Sequence, residues 1–97
     1  MPEFSHPFAG NNCERKLNQK ELVRAIRYSI AAEFEAIQLY EQLSESIDSE
    51  EAKTLLEEIA GDEKEHVGNF LHLLKLIAPE EEHFYKDGMK EADELLK

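Results

Sequence analysis

From residue 22 onward the chain alternates apolar and polar positions with a helical period. One stripe runs Val23, Ile26, Ile30, Glu33, Ile37, Tyr40, Ser44 and Ile47 at steps of three and four. A second, Leu22, Ala25, Ser29, Ala32, Ala36, Leu39 and Leu43, runs beside it. Together they predict a helix of about seven turns with a wide buried face. Asn18 is placed to cap it, and Glu21 three residues later completes a capping-box pattern. The period breaks at Ile47-Asp48-Ser49, where Asp48 or Ser49 can cap a second helix opening on Glu50 and Glu51. That helix carries Ala52, Leu56, Ile59, Glu63, His66, Phe70, Leu73 and Ile77 as its stripe, and Pro79 is expected to stop it. Beyond it, residues 80–85 and 89–97 read as two short helical pieces divided by Asp87-Gly88.

Residues 1–19 hold Pro2, Pro7 and Gly10-Asn11-Asn12, show no period, and read as a flexible N-terminal arm. Residues 20–97 read as one all-α domain: an antiparallel two-helix hairpin with a short C-terminal helix. No strand pattern and no internal repeat is visible. Apolar faces this wide cannot be covered by one partner helix, so a second layer is required. The simplest is a second copy, giving a homodimeric four-helix bundle with shallow crossing angles.

Composition narrows the partners. The 97 residues include 22 acidic and 11 basic ones, a net charge of −11, which argues against nucleic acid as the main partner. No apolar run approaches the roughly 18 residues of a membrane span, and no signal-peptide pattern opens the sequence, so a cytoplasmic location is expected. Cys13 is the single cysteine and excludes an intrachain disulfide.

Three polar residues stand where apolar ones belong. Glu33 interrupts the first stripe; Glu63 and His66 interrupt the second. A buried carboxylate costs several kcal/mol unless partnered. Glu33 lies 15 residues before Asp48 and Glu63 lies 15 after it, so both sit roughly 22 Å from the turn, at one level of an antiparallel hairpin. A di-iron carboxylate bundle takes one Glu from each of two helices and a Glu-x-x-His pair from each of the other two. Glu33 with Glu63-Lys64-Glu65-His66 is half of that set, and a two-fold axis would supply the rest. Four carboxylates then balance two Fe²⁺ ions, while the empty site repels itself, which favours metal uptake. The structural reading of the same cluster is a polar core that sets helix register. Glu80-Glu81-Glu82-His83 repeats the spacing but reads as an exposed acidic turn. Tyr40 can lean back toward the carboxylates. Glu35 points to another face, as a solvated carboxylate or part of a cation-uptake path. His72, His6 and Cys13 have no site context.

The run Ile30-Ala31-Ala32-Glu33-Phe34-Glu35-Ala36-Ile37-Gln38-Leu39-Tyr40, with Asp62-Glu63-Lys64-Glu65-His66, resembles the encapsulated ferritins of the ferritin and rubrerythrin superfamily over about residues 20–97. The resemblance implies a half-ferritin that dimerises around a ferroxidase centre, assembles into a ring-shaped decamer, and stores iron inside an encapsulin shell. Glu33, Glu63 and His66 would then be the iron ligands, with Tyr40 beside them and Glu35 in an uptake site. Leu39 stands where some members have Trp. The run Glu94-Leu95-Leu96-Lys97 stands where free cargo members carry a shell-targeting tail, which leaves free cargo, truncation and fusion to the shell open. Alternatives are a rubrerythrin-like peroxide-reducing di-iron protein and a helical assembly module without redox chemistry.

Overall fold

A computed structural model describes residues 14–97, and every described element is helical. The expectations for residues 1–13, including Cys13 and His6, lie outside the described residues. Helix α1 spans Gln19–Glu45, α2 spans Glu50–Ile77 and α3 spans Pro79–Leu95. The capping box forms as the sequence implies: Asn18 Oδ1 accepts from the Glu21 backbone N–H, and Glu21 Oε1 accepts from that of Asn18, both at 2.9 Å. Arg15 adds bonds of 2.7 and 2.5 Å to the Glu21 carboxylate. The guanidinium and the cap hydrogen bond hold the Glu21 carboxyl down at about 2. Ser49 caps α2 by accepting from Ala52 N–H at 3.2 Å. Caps at both starts leave the four-residue turn little freedom, so α1 and α2 return on each other as an antiparallel pair.

The seam of the hairpin is Ile26, Ile37 and Ser44 against Ala60, Val67 and Leu74, all buried. Small residues let the helices approach closely, Ser44 near the turn and Ala60 at mid-hairpin. At the other end Ile26, Leu74 and Ala78 form a core flanked by Val23, Ile30, Phe70 and Ile77. The α2 stripe read from spacing is corrected by one position. Ala60, Val67 and Leu74 face α1, whereas Leu73 is 39% exposed and Ile59 only half-buried. The hydrophobic arc of α2 is wider than one seam, so spacing alone does not say which edge the partner helix takes.

The C-terminal reading is also corrected. Asp87-Gly88 does not divide two pieces; α3 is one helix of 17 residues. A single interior glycine costs about 1 kcal/mol, less than the other residues of a helix of four turns opened by Pro79 recover. Pro79 does end α2, as expected, and then opens α3 after the single linking residue Ala78. Only the first turns of α3 are seated, and every residue from His83 onward is exposed. Among the described residues no helix is long and apolar enough to cross a membrane.

Candidate metal centre

Glu33 is presented by the middle of α1, and Glu63 and His66 by the facing turn of α2. The structure brings the three together: one ligand atom from each lies within 4.8 Å of the others. His66 Nδ1 is 3.4 Å from Glu33 Oε2 and 3.6 Å from Glu63 Oε2. These are electrostatic contacts, too long for good hydrogen bonds. Glu33 Oε2 is buried and accepts no hydrogen bond. The Glu33 carboxyl is held above its ordinary range, first by hydrogen bonding with the Glu63 carboxyl, then by burial and by the like charge of Glu63; His66 opposes the shift. Two acidic groups thus crowd one buried spot with an oxygen left over, which is the donor set a divalent cation satisfies.

Exposure shows which side of this site is open. The side chains of Glu33 and Glu63 are 18% and 19% exposed, that of His66 is 49%. His66 is therefore at the edge of the seam rather than inside it, a correction to its expected burial. By helical spacing, Leu22, Leu39 and Leu43 of α1 and Leu55 and Leu73 of α2 lie on that same side, all at least 38% exposed. Tyr40 is half-buried on the Glu33 stripe, one heptad further along, and Glu35 stands apart from the cluster. Glu80 and His83 are exposed on α3 and join no metal-type cluster among the described residues.

The rubrerythrin family model matches residues 25–95, most of the chain and the parts of α1 and α2 that carry Glu33, Glu63 and His66. The chain belongs to the rubrerythrin family of ferritin-like proteins. It is 37% identical over 84 residues to a ferritin-like–encapsulin shell fusion protein of Pyrococcus furiosus, covering 87% of this chain and 24% of that protein. It is 36% identical over 76 residues to the encapsulin nanocompartment cargo protein EncC of Myxococcus xanthus, covering 78% of this chain and 58% of the relative. The chain therefore spans only part of the length of these relatives. In three dimensions it matches the crystal structure of the encapsulated ferritin domain from Pyrococcus furiosus with a TM-score of 0.82 at 37% identity, over 87% of this chain and 86% of that one. The resemblance read from the Glu33 and Glu63 runs is thus met by both sequence and fold.

One feature of this ferritin-like chain escaped the sequence reading. Arg27 of α1 donates from Nε to Glu81 Oε2 of α3 at 3.0 Å and from Nη2 to Glu81 Oε1, while the Tyr85 hydroxyl donates to Glu81 Oε2. The Arg27 guanidinium holds the Glu81 carboxyl below its usual range. Lys75 of α2 reaches Glu82 at 3.8 Å. Arg27 and Lys75 leave the hairpin on the side opposite the open face, so α3 is held away from it. The Glu81–Tyr85 spacing of four was visible in sequence, but its partner 54 residues earlier was not.

Proposed function

We propose that the chain is a ferroxidase subunit whose di-iron site is completed by a second copy. The observation that carries this reading is the half-buried Glu33–Glu63 pair with the buried, unbonded Glu33 Oε2, set beside His66 at the rim of an open apolar face. A two-fold axis through that face juxtaposes two Glu33, two Glu63 and two His66, which suits a pair of ferrous ions. The two irons supply one electron each, and dioxygen accepts both with two protons as hydrogen peroxide. The chain's own part is electrostatic. Glu33 and Glu63 would hold the iron as carboxylates, and their negative charge would favour the ferric product. Apolar side chains around the site limit water, and His66 is oriented by its two carboxylate neighbours.

The relatives' names support an encapsulin shell as partner, and with it a location inside a nanocompartment in the cytoplasm. The encapsulated-ferritin likeness further implies a ring of five dimers, open at its centre, which holds no mineral and hands ferric iron to the shell interior. The experiment is anaerobic Fe²⁺ titration followed by air. The expected result is saturation at one iron per chain and oxidation well above the buffer rate. Oxidation at the buffer rate, with no bound iron, would overturn the reading. The rubrerythrin match favours one further reading, reduction of peroxide, in which added hydrogen peroxide rather than dioxygen drives turnover. A single cysteine in the 97 residues supplies no four-cysteine electron donor for it.

A further inference from the structure

The end of the hairpin where α1 begins and α2 stops carries a hollow of about 430 Å³, lined by Leu17, Asn18, Gln19, Leu22, Leu76 and Ile77. Among the described residues nothing covers it: Leu76 is 67% exposed and Leu22 38%. Leu17 stands just before the Asn18 cap and Leu22 four residues after it, the two positions of a hydrophobic staple. The chain therefore enters α1 along the wall of the hollow. Asn18 Oδ1 accepts from Glu21 N–H, and Gln19 Nε2 donates to Ile77 O at 2.8 Å. The Asn18 amide N–H and the Gln19 side-chain oxygen are left for a peptide backbone. We propose that the hollow is the docking site of this chain's own N-terminal segment, with Phe8, and Phe4 beyond it, laid over Leu22 and Leu76.

Reach, composition, charge and size select this occupant. Phe8 lies nine residues before Leu17, and Gly10-Asn11-Asn12 between them is turn chemistry that lets a chain double back. Nine extended residues span about 30 Å, so a hollow beside the chain's own point of entry is well within range. Residues 1–13 hold Pro2, Phe4, Pro7 and Phe8. Each aromatic ring can bury about 150–250 Å², and the prolines favour an extended backbone whose polar groups need outside partners. Glu3 is the segment's one acidic residue, and it has no Lys or Arg. The start of α1 sets Arg15, Lys16, Lys20, Arg24 and Arg27 against Glu21 alone, in a chain of net charge −11. Size argues against a separate molecule. A stable association buries about 800 Å² on each partner, more than a hollow walled by four apolar side chains offers. A short tether instead supplies its own segment at an effective concentration on the order of mM. Docked there, the segment covers Ile77, which flanks the core of Ile26, Leu74 and Ala78. This inference goes beyond the metal reading and does not rest on it.

The test is disulfide formation with diamide in full-length protein on a Cys13→Ser background. Ala9→Cys, which keeps both phenylalanines, is paired with Leu76→Cys and should close a bridge within one chain, seen as a monomer on a denaturing gel with both thiols lost. Ala9→Cys paired with Lys20→Cys, as near the chain entry but outside the hollow, should bridge several-fold less. Equal bridging to 76 and 20, or none to 76, would overturn the proposal, because an undocked segment has no preference between them. Bridges formed only between chains would overturn it in favour of a neighbouring copy as the occupant. A second readout uses the absence of tryptophan from the chain. Phe8→Trp should emit at shorter wavelength than a solvated indole and be shielded from acrylamide. Adding Leu76→Ser, at a mostly exposed position, should restore solvated emission while helix content and iron per chain stay unchanged. Solvated emission from Phe8→Trp alone, or emission that Leu76→Ser leaves unmoved, would also overturn the proposal. Absence of Fe²⁺ oxidation by wild-type protein would sink the metal reading and leave this one standing.

Discussion

Glu33, Glu63 and His66 take their meaning from a conflict between burial and charge. Replacing any one by Ala should lower bound iron and the rate of Fe²⁺ oxidation by at least about tenfold, since even partners outside the coordination shell are worth 10- to 100-fold. His83→Ala, on exposed α3, should change neither, and the comparison is read by iron content and oxidation kinetics. The raised Glu33 pKa gives a second expectation. An acid whose folded pKa lies above its unfolded value near 4.5 contributes stability that is complete below that value and is lost as pH rises through the folded pKa. Metal-free protein should therefore lose thermal stability between weakly acidic and neutral pH, and Glu33→Gln should flatten that slope. Iron affinity runs the other way, rising with pH, because a carboxylate must be deprotonated to bind the metal and the Glu33 pKa is raised. A melting series on metal-free protein checks the first, and proton release during titration the second.

At the scale of elements, the helix ends carry specific jobs. Asn18→Ala removes the acceptor for Glu21 N–H and should cost about 1 kcal/mol by chemical denaturation at fixed protein concentration. Leu74→Ala, in the core that it forms with Ile26 and Ala78, should cost about 2–5 kcal/mol. Arg27→Ala should leave the hairpin and the metal site intact while freeing α3, seen as faster amide exchange in residues 83–95 than in α1 or α2. The α3 arm also shows how a breaker reading fails. Asp87-Gly88 looks like a turn in isolation, but flanking turns with good helix formers and the Lys86–Glu82 pair at 3.4 Å keep the helix running through it.

For the whole molecule, the decisive quantity is uncovered apolar surface. Two layers of helix are needed to bury it, and one hairpin supplies a single layer. A folded 11.2 kDa monomer at micromolar concentration is therefore not expected. Sedimentation should show a dimer or larger species, and added Fe²⁺ should shift metal-free protein toward association. Repulsion between Glu33 and Glu63 across the axis opposes association when the site is empty and favours it when filled.

The two long helices, their caps and the grouping of Glu33, Glu63 and His66 were legible from residue order, because caps and helical period are local and because a carboxylate within an apolar stripe declares itself. Equal distance of Glu33 and Glu63 from the turn even placed them at one level. Three features needed the folded chain. The choice of Ala60, Val67 and Leu74 over Ile59, His66 and Leu73 as the seam depends on which edge of a broad apolar arc meets α1, and a periodic pattern is degenerate in that angle. The continuity of α3 depends on summed propensity over four turns, against one local break. The Arg27–Glu81 pair depends on the angle at which α3 leaves α2 at Ala78, and no spacing within either helix encodes a contact between residues 54 positions apart.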